Sequence, residues 1–147
     1  MHRTHQVIEY ETMLLGRHRL RTERGRLDRS AYIVLSRILL EGPMSIGQLS
    51  EAFGLDPSTL NRQTSAMLRA GLLERIPDPE GGIARKFRVT QEGERLFAAE
   101  REKNTRGLER VTDGWSREDL DAFAAYLRRF NGDIEQLEGR TWPRPNS

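Results

Sequence analysis

The stretch Met44–Thr90, MSIGQLSEAFGLDPSTLNRQTSAMLRAGLLERIPDPEGGIARKFRVT, contains two helix start signals separated by a glycine. Ser45 and Gln48 have the spacing of a capping box, in which each side chain satisfies a free backbone N–H at the start of a helix. Gly54 suits the left-handed end of that first helix. Asp56 and Pro57 then favour a second helix start, because Asp caps N-termini and proline fits the first helical position. We therefore predict two short helices joined by a tight turn.

The second of these helices has two chemically different faces. Its buried side is predicted to hold Leu60, Thr64, Met67, Leu68 and Gly71. Its outward side and flanks carry hydroxyl, amide and guanidinium groups, which can hydrogen-bond base edges and phosphates: Ser58, Thr59, Asn61, Arg62, Ser65 and Arg69. No carboxylate follows Asp56 before Glu74. This pattern predicts the recognition helix of a helix-turn-helix, although a solvated helix of a small bundle is the alternative.

Two alternating segments follow, Leu72–Ile76 and Arg85–Thr90, separated by the turn-forming residues Pro77–Gly82. A helix-turn-helix followed by a basic β-hairpin is a winged helix. We predict Arg85 as the DNA contact of the wing, with Lys86 as the alternative. The choice is open because strict strand alternation turns Arg85 to the same side as Phe87 and Lys86 to the other side.

The run Leu27–Gly93 resembles the MarR family of bacterial winged helix-turn-helix transcription regulators. The matching segments occur in the family order and are Glu41-Gly42-Pro43, Leu49–Leu55, Ser58–Arg62, Gly71–Arg75, Asp78-Pro79 and Val89–Gly93. One departure lies in the wing, where Gly81, Gly82 and Ile83 stand in place of the family's usual Asp-Arg-Arg. The resemblance implies a homodimer that binds a pseudo-palindromic operator in double-stranded DNA. It also implies a repressor that is relieved by a small ligand bound between the dimer helices and the winged lobe.

The fold class predicted for the whole chain is mainly α (an α+β winged helix), with the winged lobe flanked by N- and C-terminal dimerisation helices. We expect a single domain over 1–147, with the winged lobe at 28–92, dimerisation helices at 1–24 and 93–138, and a loose tail at 139–147 that Trp142 could anchor. The first helix is predicted from His2 to about Glu23, with Val7, Tyr10 and Leu14 as its apolar row. Three more helices are expected to begin at the caps Asp28, Thr90 and Ser116 and to end near residues 40, 111 and 138. The buried face of the helix after Asp28 is predicted to hold Tyr32, Val34, Leu35, Ile38 and Leu39.

The last helix carries apolar residues at the spacing of a coiled-coil seam. The seam comprises Leu120, Phe123, Leu127, Phe130, Ile134 and Leu137. We predict that this row forms a two-fold interface with a second copy, since so long a row is hard to cover with one short helix. The alternative is packing against the chain's own first helix.

The 24 basic and 22 acidic residues leave a net charge of only +2, so DNA binding requires the charges to be segregated. One segregated region runs from Arg17 to Arg37, with seven arginines against two acidic residues. It is either a solvated helix end or a set of phosphate contacts beside the helix-turn-helix.

The chain has no cysteine, which excludes disulfides and thiolate metal sites. No metal site is expected at His2, His5 and His18, because no Cys or clustered carboxylate completes a ligand set. No cofactor is expected. No apolar run is long enough to span a membrane and no signal peptide precedes the fold, so we expect a cytoplasmic protein without a membrane partner.

Three other functions compete with sequence-specific regulation. The winged helix could serve as a protein-interaction module, or the chain could be an architectural DNA-binding protein with little sequence preference. An enzyme is not expected, because the sequence shows no nucleophile elbow, phosphate-binding loop or metal constellation.

Overall fold

A computed structural model of the protein describes residues 2–21 and 27–145, without the side chains of residues 19–21. The described residues form six α-helices and one antiparallel pair of strands. In chain order these are α1 (His2–Arg21), α2 (Arg29–Glu41), α3 (Ile46–Phe53), α4 (Pro57–Arg69), β1 (Leu73–Ile76), β2 (Lys86–Val89), α5 (Gln91–Val111) and α6 (Arg117–Glu138). The predicted mainly α fold with a small β-hairpin is confirmed. The segment 22–26, where the first helix was predicted to end, lies outside the described residues.

The helix boundaries follow the local signals with one exception. Ser45 and Gln48 form the complete capping box, and Gly54 ends α3 in the left-handed conformation with φ +65°. Asp56 occupies the N-cap position of α4, but its side chain makes no capping hydrogen bond, so the predicted side-chain cap is wrong. The first turn of α4 is held instead by the backbone carbonyl of Asp56, which accepts from the N–H groups of Thr59 and Leu60.

The core of the lobe lies beneath the helix-turn-helix. Its completely buried side chains come from α2, α3 and α4: Val34, Leu35, Leu49, Leu60 and Thr64. The buried Thr64 hydroxyl donates to the Leu60 carbonyl oxygen at 2.7 Å, so this hydroxyl is paired within its own helix. Two predictions about buried faces are wrong. Leu39 is 37% exposed, and Gly71 lies beyond the end of α4 with φ +75°.

The hairpin closes the lobe. Leu73 pairs with Val89 and Arg75 pairs with Phe87, so these four residues share one face, and Leu73 and Phe87 are buried on it. Met44 forms a further antiparallel bridge to Phe87, which ties the hairpin to the chain before α3. Both strands are shorter than predicted, because Leu72 precedes β1 and because Arg85 and Thr90 lie outside β2. The predicted cap of α5 at Thr90 is confirmed.

Helix α5 leaves the lobe, and α6 follows it after a short turn. The start of α5 is pressed against the hairpin, since a Cβ on Gly93 would lie 2.3 Å from the Leu72 carbonyl oxygen. Tyr32 of α2 stacks on Phe97 of α5 with ring centroids 4.8 Å apart. In contrast, α6 contains no buried residue, and apolar residues of α1 such as Val7 and Tyr10 are exposed.

The tail after α6 was predicted to be loose over 139–147, but its described part, residues 139–145, contacts the lobe, and residues 146–147 lie outside the described chain. Gly139 ends α6, and Arg140–Pro145 then pack back onto the lobe. Trp142 stacks on Phe53 of α3 with ring centroids 5.1 Å apart, so the anchoring role considered for Trp142 is confirmed. Among the described parts of the chain, no helix is both long and apolar enough to cross a membrane.

Candidate nucleic-acid interface

The recognition helix α4 is held by one face and exposed on the other. Leu60, Thr64 and Met67 are buried and fix the rotation of the helix about its axis. The predicted contact residues Ser58, Asn61, Arg62 and Arg69 are exposed, whereas Thr59 and Ser65 are half-buried at the edges of the same surface. All six predicted positions therefore lie on or beside one accessible surface of α4.

Arg62 is the central cation of that surface. Its Nη2 lies 3.5 Å from the Thr59 hydroxyl oxygen, a long hydrogen bond that leaves the other guanidinium N–H groups for a ligand. Arg62 also borders a groove between α4 and the start of α2, which includes Asp28, Ser30 and Gln63. The side chain thus lies at the edge of the lobe and makes no ion pair with a carboxylate of residues 2–18 or 27–145.

The turn of the wing is organised by Asp78. Its carboxylate accepts from the Glu80 backbone N–H at 2.9 Å, and its carbonyl accepts from the Gly81 N–H at 3.0 Å. Gly81 has φ +85°, which glycine adopts without strain. The hydrogen bond from the Glu80 N–H, together with the nearby Lys86 ammonium, lowers the pKa of Asp78 despite its partial burial. The carboxylate is therefore charged at neutral pH.

This carboxylate distinguishes the two predicted wing cations. Lys86 Nζ lies 3.5 Å from Asp78 Oδ1, and both side chains are only about one-seventh exposed, at 15% and 14%. Arg85 precedes β2, is exposed, and has no ion pair within the described chain. As strand alternation predicted, Lys86 turns away from Phe87, but Asp78 neutralises its charge. The geometry favours Arg85 as the available cation of the wing.

The sequence did not identify Arg75 as a further exposed cation of the hairpin. It lies opposite Phe87 in the hairpin, is exposed, and places its guanidinium carbon 5.7 Å from the centroid of the Phe87 ring. By contrast, Arg88 is paired with Glu74 at 2.5 Å on the other face. The register of the hairpin places Arg75 opposite Phe87, whereas a register shifted by one residue would place it opposite a residue of the other face.

The structure leaves the predicted dimer seam of α6 exposed. Leu120, Phe123, Leu127, Phe130 and Ile134 are each 38–47% exposed, and Leu137 is 89% exposed. The alternative partner, α1, does not cover them, since Val7, Ile8, Tyr10, Met13 and Leu15 of α1 are themselves exposed. Two unpacked apolar rows therefore flank the winged lobe.

Comparison with known proteins places this geometry in a family. The sequence model of the MarR family matches residues 27–81. The Bacillus subtilis protein YxaD, an uncharacterized HTH-type transcriptional regulator, is 32% identical over 131 residues, covering 86% of this chain and 92% of YxaD.

Two solved structures show the same fold. A MarR family protein from Bacillus stearothermophilus has a TM-score of 0.70 and 26% identity, covering 90% of this chain and 91% of that one. The PcaV transcriptional regulator from Streptomyces coelicolor, solved with its natural ligand, has a TM-score of 0.57 and 22% identity, covering 88% of this chain and 89% of that one.

Proposed function

The chain belongs to the MarR family of DNA-binding transcription regulators, and on that premise we propose that it is a homodimeric repressor of a pseudo-palindromic operator. The observation that carries this proposal is the exposed, carboxylate-free surface of α4. Its N-terminal half presents Ser58, Asn61 and Arg62, and this half of a recognition helix reaches base edges in the major groove. Arg62 is suited to bidentate contact with a guanine edge, while Arg69 and Arg85 are suited to phosphates or the minor groove.

The dimer is supported by the exposed apolar rows of α1 and α6. Exposed apolar patches of this extent are characteristic of protein–protein interfaces in soluble proteins. A row on a terminal helix can pair with its own copy around a two-fold axis, so that each subunit contributes the same residues. Such a dimer presents two copies of α4 to the two half-sites of a palindrome.

Relief by a small ligand is supported by a cleft between α2 and α5. It consists of two adjoining cavities of about 270 and 550 Å³, which share Leu39, Phe97 and Arg101. Tyr32 and Ser36 line the smaller cavity, and the carboxylates of Glu94 and Glu102 line the larger one. Apolar side chains with a few polar groups among them suit a small, largely apolar ligand. Because α2 belongs to the lobe and α5 leads away from it, a ligand there would favour one spacing of the two parts over another. PcaV, which shares the fold, was solved in complex with its natural ligand.

Genomic footprinting with the purified protein tests the proposal. We expect protection of a short palindromic site, lost as the salt concentration rises. Equal affinity for unrelated duplexes would instead establish an architectural DNA-binding protein. Absence of any salt-sensitive DNA shift would establish a protein-interaction module. Repeating the footprint with candidate small ligands, and with a Phe97→Ala variant of the cleft as a control, tests the ligand cleft separately.

A further inference from the structure

The six residues Arg140–Pro145, here called the C-terminal brace, connect the end of α6 to the helix-turn-helix. Arg140 Nε donates to the Glu51 carbonyl oxygen of α3 at 3.2 Å. Trp142 stacks on Phe53, the last residue of α3. On another side of the same ring lies Arg37 of α2, with its guanidinium carbon 4.7 Å from the ring centroid. The brace therefore contacts both α2 and α3.

Glu135 attaches the brace to α6. Its carboxylate accepts from the Trp142 backbone N–H at 2.5 Å and from both terminal nitrogens of Arg144, at 3.2 and 2.5 Å. The Glu135 side chain is 14% exposed and the Arg144 side chain 31% exposed. Charge-assisted bonds with this degree of shielding are stronger than those between exposed side chains. One carboxylate thus holds two points of the brace against α6.

Where the brace meets the lobe, Trp142 contacts the buried guanidinium of Arg37. The residue is only 6% exposed, and its Nη2 lies 2.7 Å from Glu41 Oε1. Within the described chain, Nε and Nη1 have no hydrogen-bond partner. Burying a guanidinium is costly unless its charge is compensated, and an aromatic face over the group supplies part of that compensation. Removal of Trp142 would uncover Arg37 and leave the end of α3 without its aromatic partner.

The path of the chain explains why this contact matters. Helix α5 has 21 residues and α6 has 22, so each is about 30 Å long, and α6 returns the chain to the lobe. Since α6 has no buried residue along its length, the helix does not pack broadly onto the described lobe. Within residues 27–145, α6 is therefore joined to the lobe through α5 with its turn and through the C-terminal brace.

We propose that the C-terminal brace sets the orientation of the helix-turn-helix relative to α6, with Trp142 and Glu135 as positioning residues for operator binding. This inference rests on the proposed dimeric DNA-binding function. With α6 fixed in the dimer, the orientation of each lobe determines the distance between the two copies of α4. Major-groove half-sites recur at about 34 Å, so only a narrow range of distances is productive. A lobe that pivots on α5 alone spends a smaller fraction of its time in that range. Its apparent Kd for the operator then rises in inverse proportion to that fraction.

The first experiment measures the orientation without DNA. The chain has no cysteine, so spin labels at Ala66→Cys of α4 and Ala125→Cys of α6 report one defined distance. Labelled chains diluted into unlabelled chains isolate the distance within a subunit. We expect a narrow distribution for the parent and for the control Thr141→Ala, whose exposed side chain lies within the brace. We expect a broadened or shifted distribution for Trp142→Ala and for Glu135→Gln.

The second experiment measures spacing discrimination on DNA. The operator found by footprinting is compared with versions in which one base pair is inserted or removed between the half-sites. The parent and Thr141→Ala should discriminate sharply. Trp142→Ala and Glu135→Gln should bind the operator of native spacing at least about fivefold more weakly, since fivefold is the low end of coupling between two sites. They should also discriminate less between the native and the altered spacings. A residue needed only for stability would lower the melting temperature without changing this discrimination.

The outcomes separate clearly. Unchanged distances and unchanged spacing discrimination in both variants would overturn the proposal, as would an equal loss of affinity for all spacings at an unchanged distance. If Trp142→Ala does not fold, Glu135→Gln decides, because it keeps the size of the side chain and removes its charge. If the parent protein binds no operator, the proposed function fails, and the spin-label distances still decide whether the brace orients the lobe.

Discussion

Arg62, Arg88 and Arg37 carry the same charge in three different surroundings. Arg62 is exposed on α4, and its one hydrogen bond to a described residue is the long one to Thr59. Arg88 is bound to Glu74, and Arg37 is buried beside Glu41 and Trp142. Since a bound cation must lose its partner before it contacts a phosphate, Arg62 is the one of these three suited to DNA.

For the recognition helix, we expect Arg62→Ala to weaken operator binding by about 1–3 kcal/mol, the range for a good base contact. The melting temperature should not change, because the side chain is exposed. Arg69→Ala is the matched variant further along α4 and should instead weaken binding to all duplexes and lower the salt slope. Titrations of operator and unrelated duplexes at several salt concentrations distinguish the two. Parent-like operator affinity of Arg62→Ala would show that α4 docks differently.

For the wing, we expect Arg85→Ala to reduce the slope of log Kd against log salt by about one, as loss of one phosphate contact does. Lys86→Ala should change the slope less, because Asp78 already pairs with that ammonium. Both variants are titrated with the same duplex over the same salt range. A larger change for Lys86 than for Arg85 would contradict this assignment, and no change for either would mean that the wing does not contact DNA.

For the brace, protonation of the Glu135 carboxylate at acid pH should weaken its bonds to Arg144 and to the Trp142 N–H. Hydrogen bonds from Arg144, and secondarily from the Trp142 N–H, hold the pKa of Glu135 below its usual 4.5 although burial opposes them. A carboxyl group whose pKa is lower in the folded state contributes stability above its unfolded pKa and loses it as pH falls through the folded value. The difference in unfolding free energy between the parent and Glu135→Gln should therefore be constant above about pH 5.5 and shrink below about pH 4.5.

Urea unfolding at each pH measures that difference. In a Trp115→Phe background, the fluorescence of Trp142 shows whether the brace leaves the lobe at acid pH. A difference that is independent of pH down to acid unfolding would contradict the ion pair.

At the scale of elements, the two helices of the helix-turn-helix begin in different ways. Ser45 and Gln48 exchange two hydrogen bonds, at 3.2 and 2.9 Å, between side chain and backbone. Asp56 stands at the corresponding position of α4 without a side-chain bond. Pro57 fits the first position of α4, since it has no N–H to satisfy there, and the buried face of α4 packs the helix onto the lobe.

This difference predicts unequal costs of cap removal. Ser45→Ala should lower the free energy of unfolding by about 1 kcal/mol, because a capping hydrogen bond is lost. Asp56→Ala is the matched control and should change it by less than about 0.5 kcal/mol, as at an ordinary surface position. Urea midpoints at an unchanged m-value measure both. Equal losses would indicate that Asp56 caps α4 in solution.

At the scale of the whole molecule, the apolar rows of α1 and α6 are exposed in the described chain. Phe123 contacts Trp115, with ring centroids 5.5 Å apart, but remains 44% exposed. Burial of such side chains in a second copy is worth about 25 cal/mol per Å² of apolar surface. The winged lobe, by contrast, has its own core and does not require the partner for its packing.

We therefore expect the double variant Phe123→Glu and Phe130→Glu to be monomeric or unfolded. Charged side chains in the centre of an apolar interface lose more hydration than they regain in contacts. Ile83→Glu is the control, since Ile83 is a fully exposed apolar residue at the wing, away from α6. Light scattering measures the mass of each variant. A double variant with the mass and stability of the parent would remove the α6 row from the interface.

The sequence by itself determined the local elements of this protein. The capping box at Ser45, the glycine at Gly54 and the caps Asp28, Thr90 and Ser116 each act through neighbours within a few residues, and the structure has a helix boundary at every one of them. Periodicity likewise identified the buried face of α4, because the positions of a helix face depend only on the helical repeat.

Only the tertiary structure decided which charges are available and where the chain end lies. Lys86 and Arg85 are adjacent and chemically similar, yet the turn brings Asp78 to one and leaves the other exposed. Trp142 reaches Phe53 and Arg37 only because α5 and α6 carry the chain away from the lobe and back to it. Contacts between residues distant in sequence depend on the summed lengths and angles of the elements between them, and no local pattern records that sum.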